Sequence, residues 1–447
     1  MEGKDLTQGN LLTNMIKFCI PLLITNLLNS MYNLVDGIWV GQLVGDEGVA
    51  AVTNCWPITL IASSILSAIA VSASIMVAQR YASTERDKIK DIITPIYIVT
   101  VLLGILTNGI LISTLDFWLN LLNTPVEIFD VSKQYLVIYL LGYMFYFLAF
   151  TIVESIRATG NSKVPMILLA LTNIVNIILD PILIVMGLGI AGAALASAIS
   201  MVFGLIINLI YISRKSTLLK FNKKFVKLKK DFLKEFFKLS IPMMFAELST
   251  IFTILLEVYV SNSLGVIGSS AYGIVSKLQS FLYTLGISIQ SMITVVSAQF
   301  IGKKAFNELG RVIKNGLKII SIPTILIVIF VIFASRWFCT IFTENEKVIE
   351  MAISYLSIVG IAFVLIPLCQ LLMGFILGTG NTKFSFITFF IASVVEVILL
   401  LWINNTYGKP LFALGLSISA WYVTDIIFGI IYYCMYRYKN KVQINHS

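Results

Sequence analysis

Apolar runs of about 20 residues recur along the whole chain, separated by short polar or Gly- and Pro-containing stretches. A run of that length spans the hydrocarbon core of a bilayer as an α-helix. Twelve spans are predicted, near 15–40, 52–78, 92–114, 131–153, 164–186, 190–212, 236–261, 267–300, 317–336, 351–377, 384–403 and 412–436. An even number returns both ends of the chain to one side of the membrane. Residues 1–14 are polar, the first apolar run is long enough to span, and no small-residue cleavage site follows a short one. The first span is therefore expected as a retained transmembrane helix and not as a cleaved signal peptide.

Charge orients this map. Most Lys and Arg residues fall in the segments that share a side with the termini, and the densest group lies between positions 214 and 238. Only Lys133, Arg336, Lys347 and Lys409 fall in the opposite loops. Basic loops stay cytoplasmic, so both termini are expected inside, in the plasma or inner membrane. Composition agrees: 58% of the residues are hydrophobic and 12% charged, half the charge of a soluble domain, about 25%. The net charge of +9 would suggest nucleic acid in a soluble protein. Here loop bias and anionic lipid headgroups account for it, and no nucleic-acid partner is expected.

An internal repeat divides the chain. Thr159-Gly160-Asn161-Ser162-Lys163 recurs as Thr379-Gly380-Asn381-Thr382-Lys383, 220 positions on. Ala78-Gln79 and Tyr135-Leu136 recur at the same offset, and Ile20-Pro21 recurs at 221. Two halves of six spans have the same orientation in the membrane, as in parallel-repeat transporters. The expected organisation is a first lobe over 1–213, a basic cytoplasmic linker over 214–235 and a second lobe over 236–447, with a substrate path between the lobes.

Ionisable residues within the spans are the candidate chemistry, since each costs roughly 2.5–3.5 kcal/mol at mid-helix on insertion scales. They are Asp36, Glu154, Asp180, Glu257, Lys277, Glu396 and Asp425. Asp36 and Asp180 both fall in the outer half of the bilayer when counted at 1.5 Å per residue from the inner side. Asn173, Asn176 and Asp180 recur at i, i+3, i+7, which is one helical stripe. Pro181 frees the carbonyl of Ile177. Carboxylates, amides and a free carbonyl are oxygen ligands for a proton or a hard monovalent cation, and Na⁺ is a candidate at Asp36, Asn176 and Asp180. Two carboxylates at one depth in a low-dielectric site should not both ionise without such a cation. The alternative is a helix-packing network. In the second half, Glu257 is the repeat partner of Asp36 and Glu396 that of Asn176, while Asp180 maps to Leu400. Lys277 either neutralises Glu257 or Glu396 or reaches an extracellular interface. Glu154 and Arg157 are spaced for a local salt bridge, and Asp425 is left to capping or packing.

Several classes drop out. The five cysteines are scattered and read as packing. The single histidine is His446, which excludes histidine-based triads and zinc sites. No GxxxxGK(S/T) motif is present, so an ion gradient or a partner must supply energy. No nucleophile with a base marks an enzyme, and discontinuous polar stripes suit alternating access better than a channel.

The chain resembles the multidrug and toxic compound extrusion (MATE) family. The resemblance is carried by Pro21, Asn33-Leu34-Val35-Asp36-Gly37 and Val40-Gly41, by Arg157-Ala158-Thr159-Gly160-Asn161, by Asn176 with Asp180-Pro181, and by Gly378-Thr379-Gly380-Asn381. It covers nearly the whole chain. It implies twelve helices in two six-helix lobes forming a V-shaped cavity, with an acidic site in the first lobe at Asp36, Asn176 and Asp180. It implies monomeric export of cationic or amphipathic drugs in exchange for H⁺ or Na⁺, with no other cofactor. Glu257 looks like the acidic residue of the seventh helix in NorM-like and eukaryotic members, but the tenth span, 351–377, lacks an acidic partner. The alternative is a lipid-linked oligosaccharide flippase of the wider superfamily. Such a cavity should hold several basic residues for pyrophosphate, and Lys277 is the one clear intramembrane cation.

Overall fold

The computed structural model describes residues 3–122 and 124–445; His446 lies outside them. Among the described residues there is no strand. The long helices are α1 (Leu11–Leu43), α2 (Asp46–Ala82), α3 (Ile89–Ser113), α4 (Val126–Ala158), α5 (Lys163–Leu183), α6 (Gly189–Lys215), α7 (Lys230–Asn262), α8 (Gly265–Gly302), α9 (Leu309–Phe333), α10 (Glu346–Gly378), α11 (Thr382–Tyr407) and α12 (Pro410–Asn445). Among the described residues eleven stretches are long and apolar enough to cross a membrane; one of them, Lys163–Lys215, contains both α5 and α6, which gives twelve crossings.

Each predicted span falls mainly on one of these helices, and most of the helices overrun it. The largest differences are at α12, which runs to Asn445 instead of ending near 436, and at α9, which begins at Leu309 instead of near 317. Its first turns carry Arg311, Lys314 and Lys318 and read as polar, yet helix continues there because backbone pairing does not stop where hydrocarbon does. Two short helices, Leu115–Leu121 and Ser335–Thr340, were not expected. They are 220 residues apart, on the loops after α3 and α9, and carry Trp118 and Trp337, the residue type that settles at membrane interfaces.

The basic connection after α6 is shorter and more ordered than its composition suggests, since α7 starts at Lys230. The connection is held against α3: Tyr97 donates to the Leu219 carbonyl at 3.2 Å, and the Asn222 amide donates to Thr94 Oγ1 at 3.0 Å. Arg80 at the end of α2 pairs with Glu235 of α7 at 2.8 Å. Partly exposed pairs of this kind contribute at most about 1 kcal/mol.

The chain forms two compact units, Met1–Thr7 with Lys17–Ser240 and Gln8–Ile16 with Ile241–Ser447. In the first, α4 packs against α2, α3 and α6, and α5 packs against α6. In the second, α10 packs against α8, α9 and α12, and α11 packs against α12. The fourth helix of each half is thus its hub, and the helix pairings repeat in step with the sequence. Small residues permit the closest crossings: a Cβ on Gly142 of α4 would stand 2.5 Å from the Ala198 Cα of α6.

The repeated Thr-Gly-Asn string has a local cause. Gly160 and Gly380 both have positive φ, 80° and 79°, and their amides donate to Arg157 O and Leu377 O, each at 2.8 Å. Such a glycine ends a helix. The asparagine that follows caps the next helix, Asn161 Oδ1 accepting from Val164 N and Asn381 Oδ1 from Phe384 N, each at 3.2 Å. The motif is a stop and a start, used once per half.

The connection from α5 to α6 positions the candidate site. Asp180 and Pro181 sit in the last turn of α5, and a single π-type turn, Ile184–Leu188, follows. Gly187 breaks the helix at φ 91°, a conformation only glycine adopts cheaply.

Candidate functional site

In the first unit α1 and α5 run the same way through the membrane, so residues that face each other keep a constant offset. Asn29, Tyr32 and Asp36 on α1 are spaced i, i+3, i+7, the same stripe as Asn173, Asn176 and Asp180 on α5. The two stripes meet rung by rung. Asn173 Nδ2 donates to Asn29 Oδ1 at 2.8 Å. Tyr32 is hydrogen-bonded to Ser197 of α6, and Ser197 in turn meets Asn176. Asp36 and Asp180 are hydrogen-bonded to each other through their carboxyls.

Asn176 connects the rungs. With its amide nitrogen turned toward Asp180 it donates to Oδ2 at 2.8 Å, and its oxygen accepts from the Ser197 amide at 3.1 Å. Asp180 Oδ1 has no hydrogen-bond donor among the described residues. Asp180 and Asn176 are 0% and 1% exposed, whereas Asp36 is only half-buried. Two carboxyls in contact need a proton between them, or a cation in its place. The inner partner is fixed by an amide; the outer one can be reached. Tyr135, Tyr139 and Tyr143 of α4 stack with centroids 5.8 and 5.6 Å apart, and Tyr135 and Tyr139 lie in the field of Asp36.

The second unit places Glu257 of α7 against Glu396 of α11, again with the carboxyls hydrogen-bonded. Tyr272 of α8 donates to Glu257 Oε2 at 2.7 Å, and Thr253, one turn before Glu257, bonds Glu396. Both carboxyls are buried, 6% and 3% exposed. Lys277 does not enter this pair. Its exposed ammonium stands over the Phe342 ring, 4.9 Å from the centroid.

The remaining ionisable residues separate cleanly. Glu154 and Arg157 form the i, i+3 ion pair that their spacing predicts, buried near the C-terminal end of α4. Asp425 is buried midway along α12 and belongs to neither carboxyl pair; its position rules out a capping role. Cys19, Cys55, Cys339 and Cys369 are buried and Cys434 is exposed, all as free thiols.

Asn29, Tyr32, Ser197, Thr253 and Tyr272 are additions that sequence reasoning missed. The first two were signalled, because they repeat on α1 the spacing already noticed on α5. Ser197 and Tyr272 come from a third helix and carry no such signal.

Comparisons with known proteins show the family and the fold. The MatE family model matches residues 21–182 and 242–402, once in each half. The "Probable multidrug resistance protein YoeA" of Bacillus subtilis (strain 168) is 30% identical over 348 residues, covering 74% of this chain and 74% of that protein. The "Multidrug export protein MepA" of Staphylococcus aureus (strain bovine RF122 / ET3-1) is 25% identical over 398 residues, covering 88% and 87%. Two solved structures share the fold. A multidrug resistance MATE family transporter of the MOP superfamily in an outward-facing conformation has a TM-score of 0.87 at 20% identity, over 99% of this chain and 98% of that one. A MOP superfamily transporter from Pyrococcus furiosus has a TM-score of 0.89 at 20% identity, over 98% of each.

Proposed function

Because this chain belongs to the MatE family of membrane transporters, with its twelve helices in two six-helix lobes, we propose that it is a secondary active exporter of cationic and amphipathic small compounds, driven by exchange for H⁺ or Na⁺. The observation that carries this reading is the Asp36–Asp180 carboxyl pair, held between two matched polar stripes. The names of the relatives, a multidrug resistance protein and a multidrug export protein, point to the same substrate class.

The pair works as a charge switch. When a proton or Na⁺ sits between the carboxyls, the site is discharged and α1 and α5 hold together. When the ion leaves, two like charges face each other and the rung is weakened. An ion that binds the closed arrangement more tightly shifts the unit toward it, and only by that difference in affinity. The substrate favours the opposite arrangement, so loading one drives release of the other. Asn29 with Asn173 and Tyr32 with Ser197 keep the helices in register while the charge changes.

The flippase alternative asks for basic side chains around a pyrophosphate. Lys277 is exposed over Phe342, and Arg157 is committed to Glu154, which supports the exporter. The orientation belongs to the same reading: termini and the 214–238 segment face the cytoplasm, and cysteines placed near Lys229 should label from the inside only. The deciding experiment is dye efflux from vesicles with pH and Na⁺ gradients imposed separately. Efflux driven by one of the two gradients is expected; efflux indifferent to both defeats the proposal.

A further inference from the structure

The second unit buries a carboxyl that the paired sites do not use. Asp425 is 3% exposed. Its carboxyl is hydrogen-bonded to the Cys369 thiol of α10, and that thiol also lies 3.4 Å from the Tyr422 carbonyl. Asp425 Oδ1 has no donor among the described residues. Gln370, next to Cys369 and 4% exposed, repeats the pattern: its amide is hydrogen-bonded to Tyr283 of α8, but its Oε1 has no donor either. Tyr283 lies in the fields of both Asp425 and Glu247 of α7. The titratable groups facing Asp425 are therefore Cys369 from α10, Tyr283 from α8, Tyr422 from its own helix and, across Tyr283, Glu247 from α7. None is basic.

A bare buried carboxylate is too costly to keep. Elsewhere this chain meets that cost with a counter-charge, as Arg157 does for Glu154. Among the described residues Asp425 has no such partner. Packing alone does not require an acid there, because the repeat-equivalent residue of the first half is Leu205, and the equivalents of Cys369 and Gln370 are Ala149 and Phe150. We propose that Asp425, with Gln370 and Tyr283, is a separate ion site of the second unit that takes one monovalent cation, either a proton carried on the carboxyl or Na⁺ shared between the two acceptor oxygens. The site is defined by binding and does not depend on whether Asp36 and Asp180 drive export.

Infrared difference spectroscopy on the purified full chain tests it in two arms. In one, pH is stepped without Na⁺; in the other, Na⁺ is stepped at fixed pH. If the occupant is a proton, the wild type shows a carboxylic-acid band in the pH arm that Asp425→Asn loses. If it is Na⁺, the Na⁺-induced carboxylate change is what Asp425→Asn loses. Cys369→Ser keeps the carboxyl but replaces its hydrogen-bond donor, so it should shift the same band without removing it. Asp425→Asn spectra that superimpose on wild type in both arms overturn the site. Should that variant fail to fold, unshifted Cys369→Ser spectra in both arms overturn it equally.

Discussion

The two halves of this chain pair their helices in the same way and then place different chemistry on them. In the first half Asp36 meets Asp180 at the top of the stripe. In the second half the residue equivalent to Asp180 is Leu400, buried at 1% exposure, and the contact drops one turn to Glu396, the equivalent of Asn176. Glutamate is one methylene longer than aspartate, and Glu257 uses that reach. The settings differ as well: Asp36 is half-buried, while Glu257 is enclosed and held by Tyr272. Duplication has conserved backbone packing and left the ionisable groups free to diverge. The open pair is suited to exchange its ion, and the closed pair to hold one.

That contrast can be broken by experiment. The largest effect is expected from Asp36→Asn and Asp180→Asn. Each should abolish gradient-driven efflux while the protein still inserts and elutes as a single species. Because the two act as one unit, the double variant should be no worse than either single, the non-additivity expected of groups in contact. Wild-type efflux by both singles would reduce the stripe to packing. Next comes Glu257→Gln, which should lower export of cationic dyes several-fold without lowering protein abundance; an unchanged rate would assign the second pair to structure alone. Asn176→Ala removes a neutral ligand worth about 1 kcal/mol, so the concentration of coupling ion at half-maximal efflux should rise about fivefold. Lys277→Ala should do least. It loses an exposed cation–π contact of about 0.5–1 kcal/mol, and a large loss of transport would mean that the lysine serves the acidic pair after all.

Much of this molecule was legible in the sequence, because a bilayer forces each crossing to be a long apolar helix. The twelve spans, the repeat and the acidic residues follow from that constraint. The rest depended on register between distant segments. Asn29 and Tyr32 matter because α1 lies parallel to α5 with a fixed offset, which no single stripe reveals. Tyr272 and Thr253 enter because glutamate reaches a different rung. Glu247 was passed over within an apolar run, and Asp425 gained interest only once its neighbours from α8 and α10 were known. The short helices at Leu115–Leu121 and Ser335–Thr340 escaped because a few amphipathic residues leave no periodic signal.

The α5–α6 hairpin also bears on how the protein is made. Between Lys163 and Arg214 the only charged residue is Asp180, and the turn carries Val185 and Met186, each 71% exposed, with no polar side chain to hold it in water. Nothing in that turn favours being left on the far side of the membrane by itself. The two helices must therefore enter the bilayer together as a folded pair, tethered at one membrane face by Lys163 at one end and by Arg214 and Lys215 at the other. Asp180 crosses most of the bilayer during that step, and its hydrogen bond to Asn176 on the same helix lets it travel with a partner already in place.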